Sequence, residues 1–194
     1  DSLLAGTRLP CVVVDAPAPA ADHLTVDRPG GVQAAVRHLA DRGRRRIAYL
    51  GQNDPTRLTG YLRALQELGL PAQHLDLPSS TDRHAQGRAS AERVASLKPR
   101  PDAVQAYSDE MALGLLAGLH ERGIRVPHEI AVIGFDDRHA ASMVWPALTT
   151  LAHPNRELGE AAARRLLDRI AGRRPPNREP VPPLPMRLVI RESS

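Results

Sequence analysis

The chain has 194 residues, 42% apolar and 25% charged, the balance of an ordinary soluble globular protein long enough for one domain or two small ones. No apolar run approaches the roughly 20 residues needed to cross a bilayer. The net charge of +4 is almost all arginine, with Lys98 the only lysine, and the arginines are too dispersed to argue for nucleic-acid binding by this stretch itself. Only 3% of the chain is aromatic, so the core must be aliphatic, and the single cysteine, Cys11 in LPCVVVD, excludes an internal disulfide and reads as a small buried hydrophobe.

In chain order, residues 1–9 read as the tail of a helix, 10–15 as a strand, and DAPAPAAD as a loop before a short strand at 23–26. Val32, Ala35, Val36, Leu39 and Ala40 give an apolar stripe at helical spacing over 31–42, stopped by Gly43. The run Arg42-Gly43-Arg44-Arg45-Arg46 straddles that helix end, where cations offset the macrodipole; a phosphate-binding patch is the alternative. RIAYLG (46–51) is a buried strand, and a helix over 56–68 carries Leu58, Tyr61, Leu62, Leu65 and Leu68 on one face. A strand at 74–77 and an alanine-rich helix at 85–97 follow.

The clearest unit is VQAYSDEMALGLLAGLHERGIRVPHEIAVIGFDD, residues 104–137. DAVQAY is a strand; Ser108 offers an N-cap oxygen, and Asp109 and Glu110 put negative charge on the first helical turn. Leu113, Leu116 and Leu119 recur at helical spacing until Gly123, and IAVIGF is apolar without alternation, as a strand covered on both faces is. Both strands of this βαβ unit end in polar residues, Ser108-Asp109 and Asp136-Asp137, at the edge where open parallel sheets bind ligands. Gly114 and Gly118 are spaced to let this helix pack closely on the sheet. Beyond it come a loop with Trp145-Pro146, a strand at 148–152, and a helix at 155–171 burying Leu158, Ala162, Leu166, Leu167 and Ile170. A proline-rich linker (175–185) and a strand at 186–191 complete the chain. The alternation of strand and helix predicts a parallel α/β architecture.

Enzyme signatures are absent from the sequence. There is no G-x-S-x-G elbow, no P-loop and no G-x-G-x-x-G, and the eight histidines form no ligand-spaced cluster with cysteine or carboxylates, so neither a catalytic residue nor a metal or other cofactor is expected.

Several motifs recur in a fixed order: GRRRIAYLG, Arg57-Leu-Thr-Gly60-Tyr61 with Ala64-Leu65, YSDEMALG, RVPHEIAVIGFDD, PALTTLAHP and LVIRES. Over nearly its whole length the chain resembles the effector-binding region of the LacI/GalR family of bacterial transcription regulators. The resemblance implies two Rossmann-like parallel-sheet lobes with three crossovers, the periplasmic-binding-protein-like type I fold, and an effector between the lobes. The first lobe would hold 1–53 and 149–173 and the second 54–148 and 174–194, with the first incomplete and the family's DNA-binding headpiece absent from this stretch. It implies a cytoplasmic homodimeric repressor that senses a small polar effector, most simply a sugar, and meets operator DNA through that headpiece. A sugar-binding protein of an ABC transporter shares the fold and is the alternative; an upstream helix-turn-helix or export leader would separate the two.

Mapped by motif, the resemblance makes Arg57 the arginine that holds polar effector groups and Asp136 the acceptor for ligand hydroxyls or ring nitrogens. Ser108 and Asp109 are the polar pair before the M-A-x-G motif, with Ser108 standing where many members have Asn. Asp82 falls where several members place a stacking aromatic, Asn155 follows Pro154 in a crossover, and Asp27 in TVDRPGG opens a helix near the site. Competing readings stand beside these: Asp136 as a turn cap, Asp109 as a first-turn acid, Asp27 as structural and Asp82 as a loop residue. Arg57 as a solvated cation is the less favourable reading, since a cation at a helix N-terminus opposes the dipole. Met143, Val144 and Trp145, apolar in a surface segment, match a dimer contact of the family.

Overall fold

The computed structural model describes residues 9–16, 22–75, 77–78, 80–173 and 182–194. All of the helix expected at 1–9 but Leu9, and most of the proline-rich linker, lie outside them. The chain divides into two units, 1–27 with 154–186 and 28–153 with 187–194, so it passes from one to the other three times. Each unit is an α/β arrangement built on parallel strand pairs.

In the first unit, β1 (Val12–Val14) pairs in parallel with β2 (Asp22–Leu24). The next strand, β3 (Val26–Asp27), closes the unit's first segment.

The second unit opens with α1 (Arg28–Asp41), β4 (Ile47–Leu50), α2 (Pro55–Leu68), β5 (Gln73–Leu75) and α3 (Arg83–Ser96). It continues with β6 (Ala103–Ala106), α4 (Asp109–Glu121), β7 (Ala131–Ile133), a 3-10 turn at His139–Ser142 and β8 (Thr150–Ala152). The chain then returns to the first unit with α5 (Asn155–Ile170) and β9 (Leu184–Pro185), and ends in the second with β10 (Arg187–Val189).

Because β4 pairs with β5 and β6, the sheet claims residues 28–53 for the second unit. The boundary expected near 53 is corrected by this: α1 and β4 cannot sit in the first unit while their strand is central to the sheet of the second. The other crossings move in the same way, to 153–154 and 186–187.

The first unit has a small core of Leu24, Val26 and Leu158, with Ala161, Ala162 and Leu184 packed against it. The end of the proline-rich stretch is ordered here as β9, paired in parallel with β3. The apolar stripe expected on α5 is only partly used: Leu167 and Ile170 are exposed, while Arg165 is buried and its Nη1 donates to Asp22 Oδ1 at 2.7 Å. Cys11 is half-buried rather than buried, and its carbonyl accepts from Arg169 Nη1 at 2.6 Å.

The second unit is organised by a four-stranded parallel sheet in the order β5-β4-β6-β7. All four residues of β4 and of β6 are buried, which explains why IAYL and AVQA lack a polar alternation. Alternate positions, Ala48, Leu50, Val104, Ala106 and Val132, face a core shared with Met111, Leu115 and Leu119 of α4 and Ala91 and Val94 of α3. On the other side, Tyr61 of α2 donates its hydroxyl to Ile47 O at 2.8 Å.

Helices α3 and α4 lie unusually close. A Cβ at Gly87 would stand 2.0 Å from Met111 O, and one at Gly114 2.0 Å from His84 O. Glycine is needed at both for its lack of a side chain. The expectation that Gly114 and Gly118 face the sheet is corrected: both face α3.

The dense arginine run is accounted for by carbonyls and one carboxylate. Arg44 Nη2 donates to Pro127 O at 2.6 Å, Arg45 Nη1 to Ala40 O at 2.7 Å, and Arg46 Nε to Arg100 O at 2.7 Å, with Asp102 paired to Arg46. These arginines tie the end of α1 to neighbouring loops. Arg45, which donates to a carbonyl in the last turn of α1, fits the helix-end reading.

Candidate functional site

Strand order places a switch between β4 and β6. The chain leaves β4 through α2 towards β5 on one side, and leaves β6 through α4 towards β7 on the other. At such a point the loops diverge and leave a crevice at the carboxyl ends of the strands. Residues following all four strands collect there: Asp54 and Arg57 after β4, Asp82 and Arg83 after β5, Tyr107 and Ser108 after β6, Phe135 and Asp136 after β7.

Asp54 caps α2, its carboxylate accepting from the N–H groups of Thr56 at 2.8 Å and Arg57 at 3.3 Å, with Pro55 opening the helix. It also accepts from Arg57 Nη1 at 2.8 Å. Burial works to raise the Asp54 carboxyl, but these bonds outweigh it and hold its pKa below the usual carboxylate value. Asp54 thereby offsets the unfavourable position of a cation in the first turn of α2. The Arg57 guanidinium carbon lies 4.1 Å from the ring centroid of Tyr107 and 4.1 Å from that of Phe135, so two aromatics hold it flat. Its Nε is covered and has no hydrogen-bond partner.

Asp136 is half-buried at φ +111°, and Asp137 follows at +51°, both in the region that non-glycine residues seldom adopt. Asp136 N donates to Leu151 O at 2.8 Å, which fixes the turn from the main chain and leaves the side chain unneeded as a turn cap. Burial raises the Asp136 carboxyl, opposed by the nearby charges of Arg57, Arg138, His153 and Arg28. Asp137 instead pairs with Arg191 Nη2 at 2.6 Å. Arg57 thus packs on Phe135, the residue before Asp136, and acts on the Asp136 carboxyl.

Ser108 is buried and caps α4, accepting from Met111 N at 3.3 Å. Asp109 is 1% exposed and fully used inside the protein. One carboxylate oxygen accepts from the Thr150 hydroxyl, the other from Arg138 N at 2.6 Å, while its own N–H donates to Phe135 O at 2.8 Å. Burial, with the neighbouring Asp136 charge adding to it, pushes its pKa up to about 6. Asp109 ties the start of α4 to the loop after β7 and to β8. Asp82 is exposed and caps α3, accepting from Ala85 N at 3.0 Å.

Asp27 and Asn155 belong to the first unit: Asp27 ends β3, half-buried, and Asn155 begins α5, exposed.

Three contributors were missed in the sequence: Tyr107, Phe135 and Arg83. The Arg83 guanidinium carbon lies 4.6 Å from the Tyr107 centroid, and its Nη1 is covered without a hydrogen-bond partner. Tyr107 and Phe135 immediately precede the polar residues singled out at the strand ends, a position that could have flagged them. Below them, the hydroxyl of buried Tyr49 also lacks a partner, and burial raises its pKa.

Away from this edge, Met143 and Trp145 are 71% and 87% exposed. Val144 instead packs partly buried against the main core, so only the outer two residues of the expected contact face outwards. Trp145 borders a cavity of about 660 Å³ lined by Leu116, Ile124, Val126, Pro127 and His120. Among the described residues no cluster of His, Cys, Asp and Glu could hold a metal ion, and no helix is long and apolar enough to cross a membrane.

A family model for a periplasmic binding protein-like domain matches residues 36–194. The HTH-type transcriptional repressor PurR of Vibrio atlanticus is 36% identical over 77% of this chain and 46% of its own length. Catabolite control protein A of Priestia megaterium is 32% identical over 88% of this chain and 53% of its own. The chain therefore spans about half the length of these curated relatives. A LacI family transcriptional regulator from Enterococcus faecium, solved with bound ribose, superposes with a TM-score of 0.81 at 29% identity, covering 95% of this chain and 70% of that one. The alternative of a transporter's sugar-binding protein is overturned, since these relatives are transcription regulators. With its motifs, sheet and strand-end residues in this order, the chain belongs to the LacI/GalR family, as its periplasmic-binding-protein-like effector-binding domain.

Proposed function

We propose that this chain senses a small polar effector, most simply a sugar, for a bacterial transcription repressor, and that it has no catalytic role. The observation that carries this reading is the juxtaposition at the sheet's switch point of an arginine clamped by Tyr107 and Phe135 with a half-buried carboxylate, Asp136. A guanidinium supplies only donors and a carboxylate only acceptors, a pairing suited to hydroxyl-rich molecules. The bound ribose in the Enterococcus faecium regulator supports a sugar. In the complete protein a headpiece would read operator DNA, and the effector would shift that binding only by its differential affinity for two states. The test is operator binding by the complete protein, followed by fluorescence anisotropy with and without ribose and related sugars. An effector-dependent change in operator affinity of about tenfold is expected. Sugars that bind the protein without moving operator affinity would refute the coupling.

The complete protein is a homodimer in this reading, with Met143 and Trp145 at the contact. Large exposed apolar side chains beside a concave apolar surface support it. Trp145→Ala should weaken the dimer by roughly 30-fold, the effect of losing an aromatic anchor. Analytical ultracentrifugation giving the same dimer constant for parent and variant would remove Trp145 from the interface.

A further inference from the structure

Arg83 and Arg57 make this strand-end site more positive than a neutral sugar requires. Both arginines stand in the first turn of a helix, where a cation opposes the macrodipole. Their guanidinium carbons lie 4.1 and 4.6 Å from one ring centroid, that of Tyr107, so they can be no further apart than those two distances laid end to end. Arg57 has a carboxylate, Asp54. Arg83 has no ion pair among the described residues, and the adjacent Asp82 is exposed and accepts from Ala85 N through Oδ1. Each guanidinium also has one covered nitrogen without a hydrogen-bond partner, Nε of Arg57 and Nη1 of Arg83, so each has given up water without full compensation.

Arg138 and Arg28 also act on Asp136 together with Arg57, and among the described residues Arg138 pairs with exposed Glu110 at 3.8 Å. The Asp136 carboxylate feels these cations together, while that of Asp109 is occupied by Thr150 and Arg138 N. Opposite charge brought by a ligand would offset the cost of holding two cations against one tyrosine. Both arginines keep part of their side chains accessible, so a ligand can reach them.

We propose that the effector is an anionic polyol, a sugar acid or a sugar phosphate, whose carboxylate or phosphate is held by Arg83 together with Arg57 while its hydroxyls meet Asp136. Arg83 is then the residue that selects charged over neutral sugars. This rests on the site proposed above.

The experiment is calorimetry on the complete protein with matched sets: ribose, ribonate and ribose 5-phosphate; glucose, gluconate and glucose 6-phosphate. In at least one set a charged member should bind about tenfold or more tightly than its neutral parent. Whether the carboxylate or the phosphate member wins identifies the anion. Arg83→Gln should abolish the preference for the charged member, and Arg83→Lys should restore part of it. The proposal is overturned if neutral sugars bind as tightly as their charged partners throughout. It is equally overturned if Arg83→Gln keeps the preference, or if no charged member binds below about 10 mM. The location of the site fails separately, if Arg57→Ala and Asp136→Ala leave every probe's binding unchanged.

Discussion

Replacing Asp109 with alanine should destabilise the second unit by about 2–4 kcal/mol, more than a surface carboxylate could cost. The substitution strands two donors in the interior, the Thr150 hydroxyl and Arg138 N–H, and removes the tie between α4, the loop after β7 and β8. The carboxylate also carries a penalty of its own. Burial raises its pKa from 3.8 to about 6, so folding disfavours the charged form. That penalty is absent below the unfolded pKa, grows as pH rises between about 4 and 6, and is complete above it, where it amounts to about 3 kcal/mol. Asp109→Asn keeps the shape without the charge. Urea unfolding at pH 5 and 7.5 should therefore find the parent gaining stability relative to Asp109→Asn on acidification. An alanine variant within about 0.5 kcal/mol of the parent, or equal pH slopes for parent and asparagine variant, would refute this account.

Arg57→Ala and Asp136→Ala should each weaken effector binding by about ten- to a hundredfold, the cost of roughly 1.5–3 kcal/mol for a charged hydrogen bond. Arg57→Lys should not rescue, because an ammonium cannot lie flat between Tyr107 and Phe135 while also reaching Asp54. Circular dichroism and thermal melts would show that the variants remain folded. Calorimetry with whichever sugar binds the parent reads the effect, and parent-like affinity in either alanine variant would move the site elsewhere.

Much of the second unit was legible because its elements are punctuated. Gly43, Gly69 and Gly123 all take positive φ at or just past helix ends, as their spacing suggested. The βαβ unit at 104–137 reads directly from its apolar runs and the Ser108 cap. What sequence could not supply was strand pairing: the segment between Asp27 and β4, α1 included, looks the same whichever sheet β4 joins, and only the pairing of β4 with β5 and β6 moves the boundary. The nearness of Arg57 to Asp136 was legible from their motifs. The role of Asp109 was not, since a first-turn acid and a buried tie have the same residue at the same place. Arg83 was invisible for another reason: its meaning depends on Tyr107, which follows a different strand.

The chain crosses between its units at 27–28, 153–154 and 186–187. Arg28 and His153 are the first and last residues of the second unit's long segment, and both act electrostatically on Asp136. Any event that changes the charge at Asp136, whether a proton or a ligand's anion, therefore alters the potential felt at two of the three points where one unit is joined to the other. A variant at Arg28 or His153 would in turn change the potential at the Asp136 carboxyl.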